Sequence, residues 1–91
     1  VVTAIVLMNA DRMQIKDDAQ KLVDMHQVTE VFSVAGRYDL IAMVRVKSTD
    51  EVADTITEKI RSLQGITATE TLIAFQTYSR HDLEHMFSIG E

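Results

Sequence analysis

The segment Gly36-Arg37-Tyr38-Asp39 places a guanidinium, a phenol and a carboxylate next to a residue without a side chain. At the mouth of a hairpin such a group can contact a small ligand, because glycine admits close approach of the backbone and a carboxylate binds an ammonium group. The same residues also suit an ordinary turn, in which Gly36 adopts a positive φ and Asp39 accepts hydrogen bonds from backbone N–H groups. The residues alone leave both interpretations open.

A second candidate is a row of hydroxyl groups near the C-terminal end of the chain. Thr67, Thr69 and Thr71 alternate along one predicted strand and therefore project from a single face. Hydroxyl groups in such a row can fix a carboxylate or an amide beside the hairpin mouth. Threonine is also a common strand residue, so structural filler is the alternative interpretation.

The third candidate, His81-Asp82-Leu83-Glu84-His85, matches the H-x-x-E-H pattern of zinc enzymes. The match begins ten residues before the end of the sequence, which leaves little chain to supply a further ligand or a substrate cleft. A capping box at Ser79 favours a short helix that docks on a neighbouring subunit. We therefore predict no metal site, no catalytic residue and no cofactor.

The elements that must position these residues follow from hydrophobic periodicity. Four segments have the apolar runs or the period of two that strands show, and two have apolar residues at helical spacing, which predicts the order β-α-β-β-α-β. This order is typical of a ferredoxin-like α+β fold with an antiparallel sheet, in which the first and third strands lie in the middle. The predicted strands cover residues 1–9, 28–35, 39–46 and 66–77, and the predicted helices cover residues 11–26 and 49–64.

Length and composition predict a single acidic domain over residues 1–91. The net charge is −5, which argues against direct contact with nucleic acid, and the absence of cysteine excludes a disulfide framework. The apolar run at the N-terminus is too short to span a bilayer, so we expect a soluble cytoplasmic protein without membrane contact.

Both faces of the predicted sheet are apolar, although the two helices can cover only one. Leaving about six such side chains in water would forgo on the order of 10 kcal/mol. A homodimer that pairs the uncovered faces, a dimeric α+β barrel, is therefore expected, with higher assembly through the sheet edges. The residues that show that no strand has a clearly polar side are Ile5, Leu7, Ala42, Val44, Ile73, Phe75 and their alternates.

Two motifs on this topology, VFSVAGRYDLIAMV (residues 31–44) and GITATETL (residues 65–72), resemble the effector domain of the Lrp/AsnC regulators, also called the RAM domain. The likeness covers residues 1–78, and the 79–91 tail lies outside it. It implies dimers that assemble into rings, commonly octamers, with small amino acids bound between dimers. Carried over by position, it implicates these residues in ligand binding: Gly36, Arg37, Tyr38, Asp39, Thr69 and Thr71.

Family regulators also carry an N-terminal helix-turn-helix, whereas this sequence starts at the first strand, so it resembles a stand-alone RAM domain. The leading hypothesis is a non-enzymatic amino-acid-binding module whose ligand is coupled to oligomeric state. One alternative is a small dimeric α+β-barrel enzyme of the monooxygenase type, which would need a polar cavity between sheet and helices. The other is a ligand-free subunit that co-assembles with full-length regulators.

Overall fold

The elements of the chain follow the predicted order. A computed structural model describes residues 1–78 and Arg80. The predicted C-terminal helix and the H-x-x-E-H pattern therefore lie outside the described residues, Arg80 excepted. The bounds are β1 (Val2–Ala10), α1 (Ile15–Val23), β2 (Val28–Ser33), β3 (Leu40–Val46), α2 (Thr49–Asp54) and β4 (Ile66–Ile73), with a 3-10 turn (Arg12–Gln14) before α1 and a π-helical segment (Thr55–Ile60) after α2.

The four strands of the described chain form one antiparallel sheet in the order β2-β3-β1-β4. This arrangement confirms the ferredoxin-like α+β fold and the central position of β1 and β3. The two most apolar strands lie in the middle because a neighbour on each side there pairs their backbone groups away from water. The β2–β3 loop consequently lies beside the end of β1.

One face of the sheet, here called the covered face, packs against the helices. Alternate residues of β1 and β3 are buried there, with helix residues such as Leu22, Val52 and Ile60 packed against them. The period of two follows from the pleat, which points successive side chains to opposite faces. The buried strand residues of the covered face are Ala4, Val6, Met8, Val28, Leu40, Ala42, Val44 and Val46.

The opposite face, here called the open face, is also apolar, as predicted. No described helix covers it, and Phe32 and Leu72 are 45% and 46% exposed. The register places these two side chains in rows with other apolar residues of the central strands. The apolar residues of the open face are Ile5, Leu7, Phe32, Ile41, Met43 and Leu72.

Strand β2 departs from the predicted alternation. The sequence pattern puts Val28, Phe32 and Val34 on one face, but a β-bulge lies between Val28 and Glu30. Val28 pairs with a buried residue of β3, whereas Phe32 pairs with Ile41 of the open face. A bulge inserts one unpaired residue and so reverses the side-chain parity beyond it. The reversal explains why Glu30, an exception in the pattern, lies on the open face.

Helix α1 is shorter than predicted and buries a carboxylate. It ends at Val23, three residues before the predicted end. Val23 and His26 are exposed, while Leu22 is buried. Asp18 is 0% exposed, and neither of its carboxylate oxygens has a hydrogen-bond partner among the described residues. Burial raises the pKa of Asp18 above its ordinary value, because removal from water disfavours the charged form.

The turn before β4 packs directly against Asp18. Gly65 has φ +100°, and a Cβ added there would lie 2.6 Å from Asp18 Oδ2 and 2.5 Å from Gln14 Cβ. The Gly65 carbonyl accepts a hydrogen bond of 2.7 Å from the Asp11 N–H. Only glycine combines this backbone conformation with so close an approach.

Candidate functional site

The predicted Gly36–Asp39 segment lies in a six-residue loop, 34–39, that joins β2 to β3. The loop is longer than the three residues, 36–38, that lie between the two predicted strands. The Val34 N–H closes it by donating to the Asp39 carbonyl at 3.0 Å. Gly36 has φ +136°, and beyond its two neighbours in the chain no heavy atom lies within 4 Å of the position that its Cβ would take. The glycine thus serves the backbone conformation and leaves open space beside it.

Asp39 fastens this loop to the end of β1. Its backbone N–H donates to the Met8 carbonyl at 2.9 Å, and its carboxylate Oδ2 accepts from the Ala10 N–H at 2.9 Å. The side chain thereby extends the β1–β3 ladder beyond the last backbone pair. The turn interpretation of Asp39 is correct in this respect. It involves only one carboxylate oxygen, and Oδ1 has no hydrogen bond to the described residues.

Tyr38 reaches across β1 to β4. Its hydroxyl donates to Glu70 Oε1 at 2.6 Å, and this hydrogen bond raises the pKa of Tyr38 above its ordinary value. The register places Glu70 opposite Leu7, so the contact lies on the open face. The guanidinium carbon of Arg37 lies 5.9 Å from the centre of the Tyr38 ring, within cation–π range. Arg37, Tyr38 and Glu70 therefore form one polar group at the border of the open face.

The predicted threonine side chains point the other way. Thr69 pairs with Met8 and Thr71 pairs with Val6, both of which are buried on the covered face. Residues directly opposite in a ladder share a face, so the two hydroxyls lie on the helix side. The structure does not bring them together with Tyr38. Thr67 uses its hydroxyl to donate to the Asn9 carbonyl at 3.2 Å.

Three polar residues near this end of the sheet were not predicted from the sequence as site residues. Glu70 contacts Tyr38. Because Glu70 lies between Thr69 and Thr71 in the strand, the sequence already indicates that its side chain points to the opposite face from theirs. Asp18 lies three residues after Ile15 and four before Leu22, a helical spacing that indicates the buried side. Arg61 lines a groove of about 450 Å³ beside β4, together with residues 66–69. No periodicity signal marks Arg61.

Two further findings concern chemistry and location. Within residues 1–78 and Arg80, no three His, Asp or Glu side chains form a group that could hold a metal ion. In the same part of the chain, no helix has the length and apolar character needed to cross a bilayer.

The fold and the two motifs can be compared with known proteins. The family model of the Lrp/AsnC ligand binding domain matches residues 3–83. The chain belongs to this family. The match includes the β2–β3 loop and the whole of β4, which are the two segments that carry the candidate site.

Solved structures of Lrp/AsnC proteins and their relatives superpose closely on the chain. The protein TTHA0845 of Thermus thermophilus is 41% identical with a TM-score of 0.83, and the match covers 88% of this chain and 100% of that one. AsnC of Escherichia coli is 26% identical with a TM-score of 0.79, over 84% of this chain and 52% of AsnC. A feast or famine regulatory protein of Mycobacterium tuberculosis, solved with L-methionine, is 28% identical with a TM-score of 0.74, over 88% and 54% of the two chains.

The curated relatives are regulators of transcription. An uncharacterized HTH-type transcriptional regulator of Pyrococcus furiosus is 34% identical over 62 residues, which cover 68% of this chain and 41% of the relative. The matched part of this Lrp/AsnC chain thus spans about two fifths of that relative's length.

Proposed function

We propose that this Lrp/AsnC domain is a non-enzymatic regulatory module that binds a small amino acid between dimers and couples it to oligomeric state. The observation that carries the proposal is the family match over residues 3–83, which includes both candidate segments. The Mycobacterium tuberculosis relative solved with L-methionine supports an amino acid as the ligand class. Because the curated relatives are named as transcriptional regulators, the cytoplasm is the proposed place of action.

The dimer is proposed to form through the open face. Six apolar side chains there are partly or largely exposed, and burying them would contribute on the order of 10 kcal/mol, comparable with the stability of a whole domain. Two copies with their open faces in contact bury these side chains in one symmetric interface.

The dimer is tested by a charge at the centre of the open face. Ile5 lies between Met43 and Leu72 in one row of the sheet. Ile5→Lys should dissociate the dimer at micromolar concentration, because a lysine ammonium would be desolvated among apolar side chains. Thr57→Lys, at an exposed position of the helical layer, is the matched control and should leave the sedimentation coefficient unchanged. A wild-type monomer in the same sedimentation experiment would refute the dimer.

The ligand is proposed to contact Gly36, Arg37, Tyr38 and Asp39 in the loop of one subunit, and Thr69 and Thr71 on β4 of another, because the threonines of the same chain face the helices. Asp39 Oδ1, the oxygen without a hydrogen bond to the described residues, is the proposed partner of the ligand's ammonium group. A ligand that prefers one assembly stabilises that assembly by its difference in affinity and by no more. This linkage would let a small molecule change the size of the ring.

Asp39 can be tested without unfolding the loop. Asp39→Asn keeps an oxygen for the Ala10 N–H and removes only the charge, whereas Asp39→Ala would also release the end of β1. We expect Asp39→Asn to weaken amino-acid binding in calorimetry about tenfold or more, since hydrogen bonds to charged groups contribute about 1.5–3 kcal/mol. Unaltered affinity would remove Asp39 from the ligand site.

The ligand itself is found by a thermal-shift panel of the twenty amino acids, read together with light scattering. A ligand at 100 times its Kd adds about 2.7 kcal/mol of stability, which a melting curve resolves easily. A shift accompanied by a change in particle mass supports the coupled sensor. The absence of any shift would favour the ligand-free subunit that assembles with full-length regulators.

The enzyme alternative requires a polar cavity between sheet and helices. That space is filled by the apolar core, and among the described residues Asp18 and Thr55 are its buried polar members. A filled core favours a binding module over the α+β-barrel enzyme. The curated relatives, which are named as transcriptional regulators, agree with this preference.

A further inference from the structure

A groove beside the outer edge of β4 combines several groups that bind anions. It has a volume of about 450 Å³ and is lined by Arg61, Ile66, Thr67, Ala68 and Thr69. Arg61 is exposed, and its planar guanidinium offers two parallel N–H donors that match a carboxylate. The size of the groove suits a small molecule of amino-acid dimensions.

Backbone direction supplies a further donor to the same groove. The Met8 carbonyl accepts from Asp39 on the β3 side of β1, and the Thr3 carbonyl accepts from Ala74 on the β4 side. Even-numbered residues of β1 therefore direct their backbone groups away from β4. In an antiparallel ladder the β4 residues opposite them correspondingly direct their own N–H and C=O groups away from β1. The N–H of Thr69, which is opposite Met8, consequently points out from the free edge of β4, as far as the described chain shows.

The helical segment before β4 places Arg61 at the free edge of this strand. Helix α2 passes into the π-helical segment Thr55–Ile60, and the Arg61 N–H donates to the Ile56 carbonyl at 2.9 Å, five residues back. A π turn contains one residue more than an α turn and so rotates the following side chain by about 100°. Such segments occur frequently at functional sites. Here the segment ends immediately before the residue that lines the groove.

We propose that Arg61 and the outward N–H of Thr69 bind the α-carboxylate of the amino-acid effector. This inference rests on the proposed function and adds the group that recognises the carboxylate. It also places the site for the ligand's carboxylate group away from Asp39, the proposed partner of its ammonium group. Leu40, Met8 and Thr69 lie in one row across three strands, so Asp39 is about 10 Å from the β4 edge at two strand spacings.

The separation has a consequence for assembly. In an α-amino acid a single carbon joins the ammonium and carboxylate groups, so one molecule bound at Arg61 does not reach Asp39 of the same chain. Its ammonium group would instead bind the Asp39 carboxylate of a neighbouring subunit. A ligand held in this way bridges two subunits, which gives the proposed coupling between ligand and oligomeric state a physical basis.

The test pairs a change in the protein with a change in the ligand. Calorimetry is performed with the tightest binder of the twenty amino acids, L-methionine being tried first, and with its carboxamide, which lacks the negative charge. Arg61→Gln should weaken binding of the amino acid about tenfold or more. The carboxamide should bind wild type weakly and bind Arg61→Gln equally weakly, because the deleted groups interact with each other. Lys59→Gln, an equal loss of charge at an exposed position outside the groove, is the control.

The outcomes distinguish the two proposals. If an amino acid binds wild type and binds Arg61→Gln with the same affinity, the Arg61 inference is wrong and the proposed function stands. If no amino acid binds wild type, both are wrong. If Arg61→Gln loses affinity for amino acid and carboxamide by the same factor, Arg61 does not contact the carboxylate. A ligand-induced NMR shift of the Thr69 amide, lost in Arg61→Gln, would support the assigned contact.

Discussion

Replacement of Asp18 by asparagine should stabilise the protein at alkaline pH. The Asp18 carboxylate is fully buried without a hydrogen-bond partner among the described residues, and desolvation raises its pKa above the ordinary value of 3.8. The native state therefore binds a proton more tightly than the unfolded chain. The stability that this proton provides is fully present below the unfolded pKa and is lost as the pH rises through the folded pKa.

The magnitude follows from the unsatisfied group and its charged neighbours. A neutral polar group buried without a partner costs about 1–3 kcal/mol and a charged one costs more, so Asp18→Asn, whose amide is buried at the same place, removes only the excess that belongs to the charge. Lys21 favours the charged form and offsets part of this cost, whereas Asp17 and Asp11 add to it. We therefore expect Asp18→Asn to be more stable than wild type by about 1 kcal/mol at pH 8, with a melting temperature about 4–8 °C higher. At pH 4 the difference should disappear.

The assay is urea unfolding at a fixed protein concentration from pH 4 to pH 8, since an oligomer changes its apparent stability with concentration. Asp24→Asn, an exposed aspartate of the same region, should follow the wild-type pH dependence within about 0.5 kcal/mol. If Asp18→Asn retains the wild-type pH dependence or is less stable at pH 8, the native carboxylate is stabilised by a partner and the reasoning from burial is wrong.

Two further predictions concern the turns. Gly65→Ala should lower the free energy of unfolding by about 2–3 kcal/mol, because its Cβ would overlap neighbouring atoms. Gly36→Ala, with open space around it, should lower it by about 1 kcal/mol for the positive φ alone. Equal losses in denaturant unfolding would contradict the packing argument. Glu70→Gln should lower the pKa of Tyr38 toward its ordinary value, since the carboxylate acceptor favours the protonated phenol; an unchanged ultraviolet titration of the tyrosines would argue against the 2.6 Å hydrogen bond.

Much of the fold could be predicted because it depends on local pattern. The element order, the central position of β1 and β3 and the apolar open face follow from side-chain period and from the handedness of crossovers, and the structure confirms them. The strand face of Phe32 could not be predicted. A bulge near Glu30 reverses the parity, and the charged Glu30 in an otherwise apolar set is too weak a signal to locate it.

For the candidate site, the sequence names residues, and their arrangement in space comes from the structure. The loop and the β4 threonines were identified from motifs, but which side of the sheet each would occupy depends on the β1–β4 register. That register places Glu70 beside Tyr38 and turns Thr69 toward the helices. Pairing between strands distant in sequence is decided by the whole sheet at once, so a local pattern does not contain it.

The sequence by itself determined the fold class, the family and the apolar open face, because each is encoded in the order of apolar and turn residues. Only the tertiary structure decided that Asp39 uses one oxygen for the Ala10 N–H, that Asp18 is buried without a partner among the described residues, and that Arg61 reaches the edge of β4. The physical reason is the same in all three cases. Solvation and hydrogen bonding of a polar group depend on what packs around it in space, and its neighbours there come from other elements.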